Sequence, residues 1–334
     1  MLPDTLRRWN DLPEKERDTL LNLKAEKRLT TEVFTALNLR MTYNSLRRKL
    51  NEHKTVFAVK QQIVRTVTMP PSPSKRYLDY EVLEGDDYII ISDIEIPDHS
   101  TLYLERALLL GMAHGVRKLI IAGDLVATDQ QTLNDWLRLW RVEDLSYEDT
   151  IRLTRDILRR LSTWFNEIVV IEGNHDDRIA RKTGGEVHLG MFIQGDKVRY
   201  SRYHFLWVKN SDAKYGLIGH PRSGSSSSVK LAQNIYNNTP APDGSKPIWV
   251  YTAHTHHAQS GFSGDGIAQV FGLGTGREYD LTGYAAVAFN TFARWSSSIG
   301  MIRRKYPLNI THRDDWRFWM GEYYPDDTPA VAIE

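Results

Sequence analysis

Ile168-Val169-Val170-Ile171-Glu172-Gly173-Asn174-His175-Asp176 is a run of four branched apolar residues that leads straight into side chains able to bind a metal or carry a proton. An uninterrupted apolar run of this length, closed by glycine, reads as a strand covered on both faces, as in a parallel sheet. The same grammar recurs along the chain. Tyr88–Ile91 runs into Ser92-Asp93-Ile94-Glu95, and Leu119–Ala122 into Gly123-Asp124. Tyr215–Ile218 runs into Gly219-His220, and Ile248–Thr252 into Ala253-His254-Thr255-His256. Leu102–His114 and Tyr147–Phe165 carry the longer amphipathic pattern of helices, and Glu186–Lys209 reads as one or two further strands. Strands alternating with helices predict an α/β architecture, in which ligands bind beyond the carboxyl ends of the strands.

Five strands that each deliver Asp, Asn or His to that edge are hard to explain as packing. Carboxylate oxygen, amide oxygen and imidazole nitrogen together suit manganese, iron, zinc or nickel. One carboxylate shared by two ions about 3.5–4 Å apart is the arrangement used in phosphoryl hydrolysis. The 334 residues contain no cysteine, which excludes disulfides, thiolate nucleophiles, Cys-based zinc sites and iron–sulfur clusters. With 41% hydrophobic and 25% charged residues the composition is that of a water-soluble protein. No apolar run approaches the ~18 residues of a membrane span. Asp4, Arg7 and Arg8 interrupt the first ten residues, so no secretion leader is expected and a cytoplasmic location is.

The charge is unevenly spread. Residues 1–68 hold 14 Lys/Arg against 8 Asp/Glu, whereas the remainder is slightly acidic. Met69-Pro70-Pro71-Ser72-Pro73-Ser74 opens a linker over 69–76, because three prolines forbid a helix or central strand. Before it, Leu12–Arg28 reads as a helix. Thr31 and Thr42 are N-cap candidates for two more, with Val33, Phe34 and Leu37, then Leu46 and Leu50, facing inward. Two short helices with Arg40, Arg47, Arg48 and Lys49 outward resemble a helix-turn-helix and make DNA a candidate partner.

The blocks Asp93…Gly123-Asp124…Gly173-Asn174-His175-Asp176…Gly219-His220…His254-Thr255-His256, in this order over residues 86–276, resemble the calcineurin-like metallophosphoesterase superfamily. The resemblance implies a four-layer αββα sandwich over 77–283 with a dimetal site at one sheet edge. It implies that Asp93, Asp124 and His256 hold the first metal, Asp124 bridging, and that Asn174, His220 and His254 complete the second. His175 is then the general acid, oriented by Asp176. Two positions depart from the family's pattern: Ala253 replaces a glycine, and Glu95 replaces the histidine of the usual Asp-x-His. Either Glu95 ligates, favouring a harder ion such as manganese or magnesium, or it turns away and His99 contributes.

Arg178, Arg222 and His257 adjoin the ligand blocks and could touch a phosphate. Gly272–Gly276 reads as a turn and Ser223–Ser228 as a polar loop. Residues 284–334, with Trp295, Trp316, Phe318 and Trp319, read as an aromatic extension packed on the catalytic body. A basic module ahead of such a domain resembles the layout of phage and prophage phosphoesterases, for which the host cytoplasm is the expected location. The leading expectation is a phosphodiesterase or nuclease acting on DNA or nucleotides with two divalent ions, manganese foremost. The alternatives are a phosphomonoesterase or protein phosphatase, and a DNA-binding regulator whose phosphoesterase site has weakened.

Overall fold

A computed structural model describes residues 9–25, 42, 44–52, 74, 77–128, 146–222, 227–282, 295–312 and 314. The chain divides into two compact units, 1–76 and 77–334. In the first, Glu14–Ala25 is a helix entered through Pro13, and residues 44–52 form a second. Thr42 caps that second helix as expected: its hydroxyl accepts from Ser45 N at 3.2 Å. Leu46 and Leu50 are buried on one face, and Arg47 and Arg48 are exposed on the other. Lys24 Nζ donates to the Arg47 carbonyl at 3.2 Å, which ties the two helices together. Thr31, Val33, Phe34, Leu37, Arg40 and most of the linker lie outside the described residues.

The second unit is a four-layer sandwich. Twelve strands among the described residues, β1 to β12 in chain order, form two six-stranded sheets. The first contains β2 (Tyr88–Ile91), β3 (Lys118–Ala122), β4 (Glu167–Ile171) and β5 (Val198–Ser201), all mutually parallel. It also contains β11 (Ser298–Arg303) and β12 (Tyr306–Thr311). The second contains β1 (Val82–Glu84), β6 (Phe205–Lys209), β7 (Tyr215–Gly219), β8 (Trp249–Thr252), β9 (Ala258–Phe262) and β10 (Gln269–Leu273). The spatial orders are β12-β11-β2-β3-β4-β5 and β1-β6-β7-β8-β10-β9.

The apolar runs are continuous because each of the central strands is covered on both faces. Ile89, Ile91, Leu119, Ile121, Ile168 and Val170 pack under the helices Thr101–Ala113 and Tyr147–Leu161. Their alternates Ile90, Ile120, Ala122, Val169 and Ile171 face Leu206, Ile218, Trp249, Tyr251 and Phe271 of the other sheet. Trp207, Leu217, Val250 and Val270 then pack under the helix Ser228–Asn238. Each such side chain contributes about 1.5–3 kcal/mol by leaving water.

Within the stretch 284–334, read as an extension packed on the catalytic body, the described residues 298–311 lie in the first sheet. β11 (Ser298–Arg303) pairs antiparallel with β2, and β12 (Tyr306–Thr311) with β11, so 298–311 completes the first sheet. Ser298-Ile299-Gly300-Met301-Ile302 is itself a short apolar run, and Gly300 fits because a Cβ there would press on Leu273, Tyr251 and Ile90. Trp316, Phe318 and Trp319 lie outside the described residues.

Candidate metal centre

The carboxyl ends of β2, β3, β4, β7 and β8 meet at one edge. Asp93, Glu95, Asp124, His254 and His256 there all adopt the left-handed backbone conformation, with φ of 48°, 49°, 49°, 78° and 58°. Such values are uncommon outside glycine and cost about 1–3 kcal/mol each unless their surroundings impose them. A ring of hydrogen bonds does so. Asp93 N donates to Gly123 O at 3.1 Å and Glu95 N to Asp124 O at 3.0 Å. His254 N donates to both Asp93 carboxylate oxygens at 3.1 Å, and His175 N to Asp124 Oδ1 at 2.7 Å. Gly173 is required by contact, since a Cβ there would overlap Asp124 N and Oδ1.

Three groups of donor atoms converge, the members of each within 4.8 Å of one another: Asp93, Glu95 and His256; Asp124, His220 and His254; and Glu95, Asp124 and His175. The first two groups lie side by side, and the third joins them. Asn174 completes the second, its Oδ1 3.0 Å from His220 Nε2. Glu95 belongs to the cluster, whereas the His99 ring turns to the Pro97 carbonyl at 3.0 Å.

The donor chemistry fits a cation. His220 Nδ1 lies 2.9 Å from the Ala122 carbonyl, an acceptor only, so Nδ1 carries the ring hydrogen and Nε2 presents a lone pair. That lone pair faces Asp124 Oδ2 at 3.1 Å and Asn174 Oδ1 at 3.0 Å, two further acceptors. His256 Nε2 likewise faces Asp93 Oδ1 at 3.3 Å and Glu95 Oε1 at 3.1 Å. Asp93, Glu95 and Asp124 are at most 1% exposed. Three buried carboxylates around bare imidazole nitrogens need positive charge among them, a proton or a metal ion.

Without metal, the proton takes that place. Burial opposes a charged His220, but Asp124, Asp93 and the Ala122 carbonyl together outweigh it and raise the imidazole to about 10. Burial likewise opposes a charged His256, and Asp93 and Glu95 raise it to about 9. His254 is lowered, by burial first and then by His220. Because imidazole ligates as the neutral base, cation binding must expel these protons. Divalent affinity is therefore expected to rise about 10- to 100-fold per pH unit between pH 6 and 8, one or two protons leaving per binding event. The metal-free fold moves oppositely: the imidazolium–carboxylate contribution is complete below pH ~6.5 and fades as pH climbs through 9 to 10. Titration calorimetry in buffers of different ionisation enthalpy counts the protons; a pH-independent affinity contradicts the expectation.

The remaining residues fall into place around this cluster. His175 Nε2 accepts from Arg178 Nη2 at 3.0 Å, which leaves the ring hydrogen on Nδ1, 3.5 Å from Glu95 Oε2. Asp176, expected to orient His175, is turned to the backbone: its carboxylate accepts from Leu125 N, Val126 N and Gly173 N at 3.3, 3.1 and 2.9 Å. It staples the β3 loop to the β4 loop. Burial, and then Asp124, push this carboxyl up to about 8. Arg222 is bound to Asp177, and the His257 carbonyl accepts from Ser228 Oγ at 2.6 Å. Of the arginines and lysine read as DNA contacts, Arg47 and Arg48 are exposed, Lys49 pairs with Glu52 at 3.2 Å, and Arg40 lies outside the described residues.

Sequence reading missed Arg277 and Trp295 at this site. Arg277 donates to Glu95 and Asp98, and Trp295 packs edge-on against His256 with ring centres 4.4 Å apart. The signal for Arg277 was present: Gln269–Leu273 is another apolar run ending in glycines. It is strand β10, and only the part after Leu273 forms the turn, with Gly274 at φ 75°. Gly276 N and Thr275 Oγ1 donate to the Asp93 carbonyl at 3.0 and 2.9 Å, so this loop carries the first ligand block.

No protein-family model matches the sequence, and no curated protein sequence does. Among solved structures the chain is similar to YfcE, a phosphoesterase from E. coli, at 16% identity and TM-score 0.37, over 64% of this chain and 87% of that one. It is similar to zinc-complexed Vps29 from Entamoeba histolytica at 16% identity and TM-score 0.32, over 64% and 84%. It is also similar to the hypothetical protein PH1004 from Pyrococcus horikoshii OT3 at 10% identity and TM-score 0.40, over 73% and 94%.

Proposed function

We propose that the chain is a divalent-cation-dependent phosphoesterase that hydrolyses phosphodiesters, with DNA or nucleotides as its substrate class. The observation that carries this reading is the joined pair of buried donor groups, linked through Glu95 and Asp124. Asp93, Glu95 and His256 would hold one ion and Asn174, His220 and His254 another, with Asp124 available to both. Manganese suits the oxygen-rich first group best, with iron, nickel, zinc or magnesium as alternatives. When bound, the ions supply Lewis acidity toward phosphoryl oxygens and acidify the attacking water.

The chain's own residues do the rest. A substrate phosphate takes the Arg178 donor, which releases His175 Nε2 to carry the proton that the leaving oxygen needs. Asp177, itself 4% exposed at the side chain, holds Arg181 and Arg222 on its two oxygens while their side chains remain 58% and 63% exposed. Two guanidinium groups anchored on one buried carboxylate, beside Asn174, form a dock for a further phosphate of the same strand. That feature favours a diester chain over an isolated monoester. Exposed Arg47 and Arg48 on the amino-terminal unit support a nucleic-acid partner in the same way. No helix among the described residues is long and apolar enough to cross a membrane.

The test supplies the full chain with Mn2+ and compares bis-p-nitrophenyl phosphate, p-nitrophenyl phosphate and a short oligonucleotide. Diester turnover is expected to exceed monoester turnover. Arg181→Ala with Arg222→Ala is expected to raise KM for the oligonucleotide about tenfold or more and leave KM for the small diester unchanged. Arg47→Ala with Arg48→Ala is expected to weaken DNA retention and flatten its salt dependence, without changing small-diester turnover. Faster monoester turnover sinks the diesterase reading, and inactivity with every divalent ion sinks the enzyme.

A further inference from the structure

Arg277 is a cation buried beside a site built for cations, which needs an explanation. Its side chain is 2% exposed, and Nη1 donates to Glu95 Oε2. Nε donates to Asp98 Oδ2 at 3.1 Å, and Nη2 reaches the same oxygen. Arg277 N is fixed by Thr275 Oγ1 at 3.0 Å, and Thr275 in turn by the Asp93 carbonyl. The guanidinium is therefore set by the same loop that holds the first ligand block. It claims one oxygen of Glu95 and leaves the other, Oε1, 3.1 Å from His256 Nε2, on the side where Asp93 Oδ1 stands 3.3 Å from that nitrogen.

The charge count explains the pairing. The family pattern that this sequence resembles has a neutral histidine where Glu95 stands. Glutamate adds a full negative charge at a position 0% exposed, and a lone buried carboxylate is costly. Arg277 cancels that charge from behind, while Asp98, 16% exposed at the side chain, balances the guanidinium on the solvent side. A cation approaching from the His256 side thus meets a hard oxygen whose charge is partly offset by the guanidinium behind it.

We infer that Glu95 and Arg277 act as one unit that sets ion preference in the first group, turning it toward Mn2+ and away from Zn2+. Arg277 is a positioning residue that acts through Glu95. This inference rests on the cation reading given above, and its test needs no turnover. The metal-stripped full chain is titrated calorimetrically with Mn2+ and with Zn2+, alongside Glu95→His, Arg277→Met and the double variant. Glu95→His alone removes the carboxylate that stands between Arg277 and the incoming ion, with Asp98 remaining only on the solvent side, and is expected to weaken both ions at least about tenfold. The double variant is expected to recover Zn2+ but not Mn2+, shifting the Zn2+/Mn2+ affinity ratio about 10- to 100-fold toward zinc. Arg277→Lys, which keeps the charge, is expected to hold the parent ratio and covers the case in which Arg277→Met fails to fold. A parent ratio in the double variant overturns the inference, as does equal Zn2+ affinity in Glu95→His and the double variant. Failure of the unaltered chain to bind either ion overturns the cation reading itself.

Discussion

Asp124→Asn is expected to lower diester kcat/KM by at least about 10³-fold, some 4 kcal/mol of transition-state stabilisation, and to abolish binding at the second group of donors. Asp124 serves two neighbours at once. Oδ1 accepts from His175 N at 2.7 Å, and Oδ2 stands 3.1 Å from His220 Nε2. The amide can retain one of these roles at a time, and in both it lacks the charge that draws a cation between Asp124 and His220. The fold should survive. In the metal-free protein Asp124 raises Asp176 toward neutrality, its influence second to burial, so removing the charge relieves a repulsion between buried carboxyls. Below pH 9 the lost Asp124–His220 ion pair opposes that relief, so the metal-free melting temperatures are compared at pH 10, where the pair has faded. There the variant is expected to melt no lower than the parent, while the stabilisation that Mn2+ confers on the parent near neutral pH disappears. At an ion concentration 100 times Kd that stabilisation is about 2.7 kcal/mol. Activity lost together with a lower metal-free melting temperature at pH 10 points instead to a structural role for Asp124. A variant that retains both metal stabilisation and turnover refutes the placement of the ion.

How much of this was legible in the sequence depends on whether the signal was local. The runs at Ile89, Ile120, Val169 and Val250 are continuous because the sandwich covers both faces of each strand. That covering shows directly as apolar text followed by a polar ligand. The five ligand blocks were readable for the same reason: each is one strand end, and the fold only has to bring the ends together. What escaped depended on distant pairing. Nothing near Arg277 announces that its partner is Glu95, 182 positions earlier. Asp176 adjoins His175 in sequence, and the family resemblance implied that it orients the ring. Yet its carboxylate accepts from Leu125 N, Val126 N and Gly173 N. The strand at Ser298–Arg303 escaped because its partner is β2, more than 200 residues away, and aromatic side chains beside it suggested another role. Glu95 carried two readings at the level of sequence. Its carboxylate stands among Asp93, His175 and His256, as the first reading requires, and the His99 ring is turned to Pro97.

His175→Asn gives the sharpest separation of chemistry from binding. The substitution keeps the backbone N–H that Asp124 Oδ1 accepts at 2.7 Å, so the ion sites should keep their ligands and their stoichiometry. What it removes is a ring whose Nε2 stands at the mouth of the site, 3.0 Å from Arg178, with its other nitrogen turned inward to Glu95. Asparagine can donate a hydrogen bond from there but cannot deliver a proton. General acid catalysis typically contributes 10²- to 10⁴-fold, and its share falls as the leaving group becomes a better anion. A dinucleotide, whose leaving alkoxide must be protonated, is expected to lose about 10²- to 10³-fold in kcat. Bis-p-nitrophenyl phosphate, whose phenolate leaves unaided, should lose less than about tenfold. The contrast between the two substrates carries the assignment, since misplaced ions would slow both alike. If both substrates slow equally and metal content falls, the third donor group of Glu95, Asp124 and His175 is itself an ion site, and His175 is a ligand in place of the acid. If both slow equally with metal content intact, the proton comes from elsewhere, and the polarised ring hydrogen of His175 serves to hold Glu95 in position.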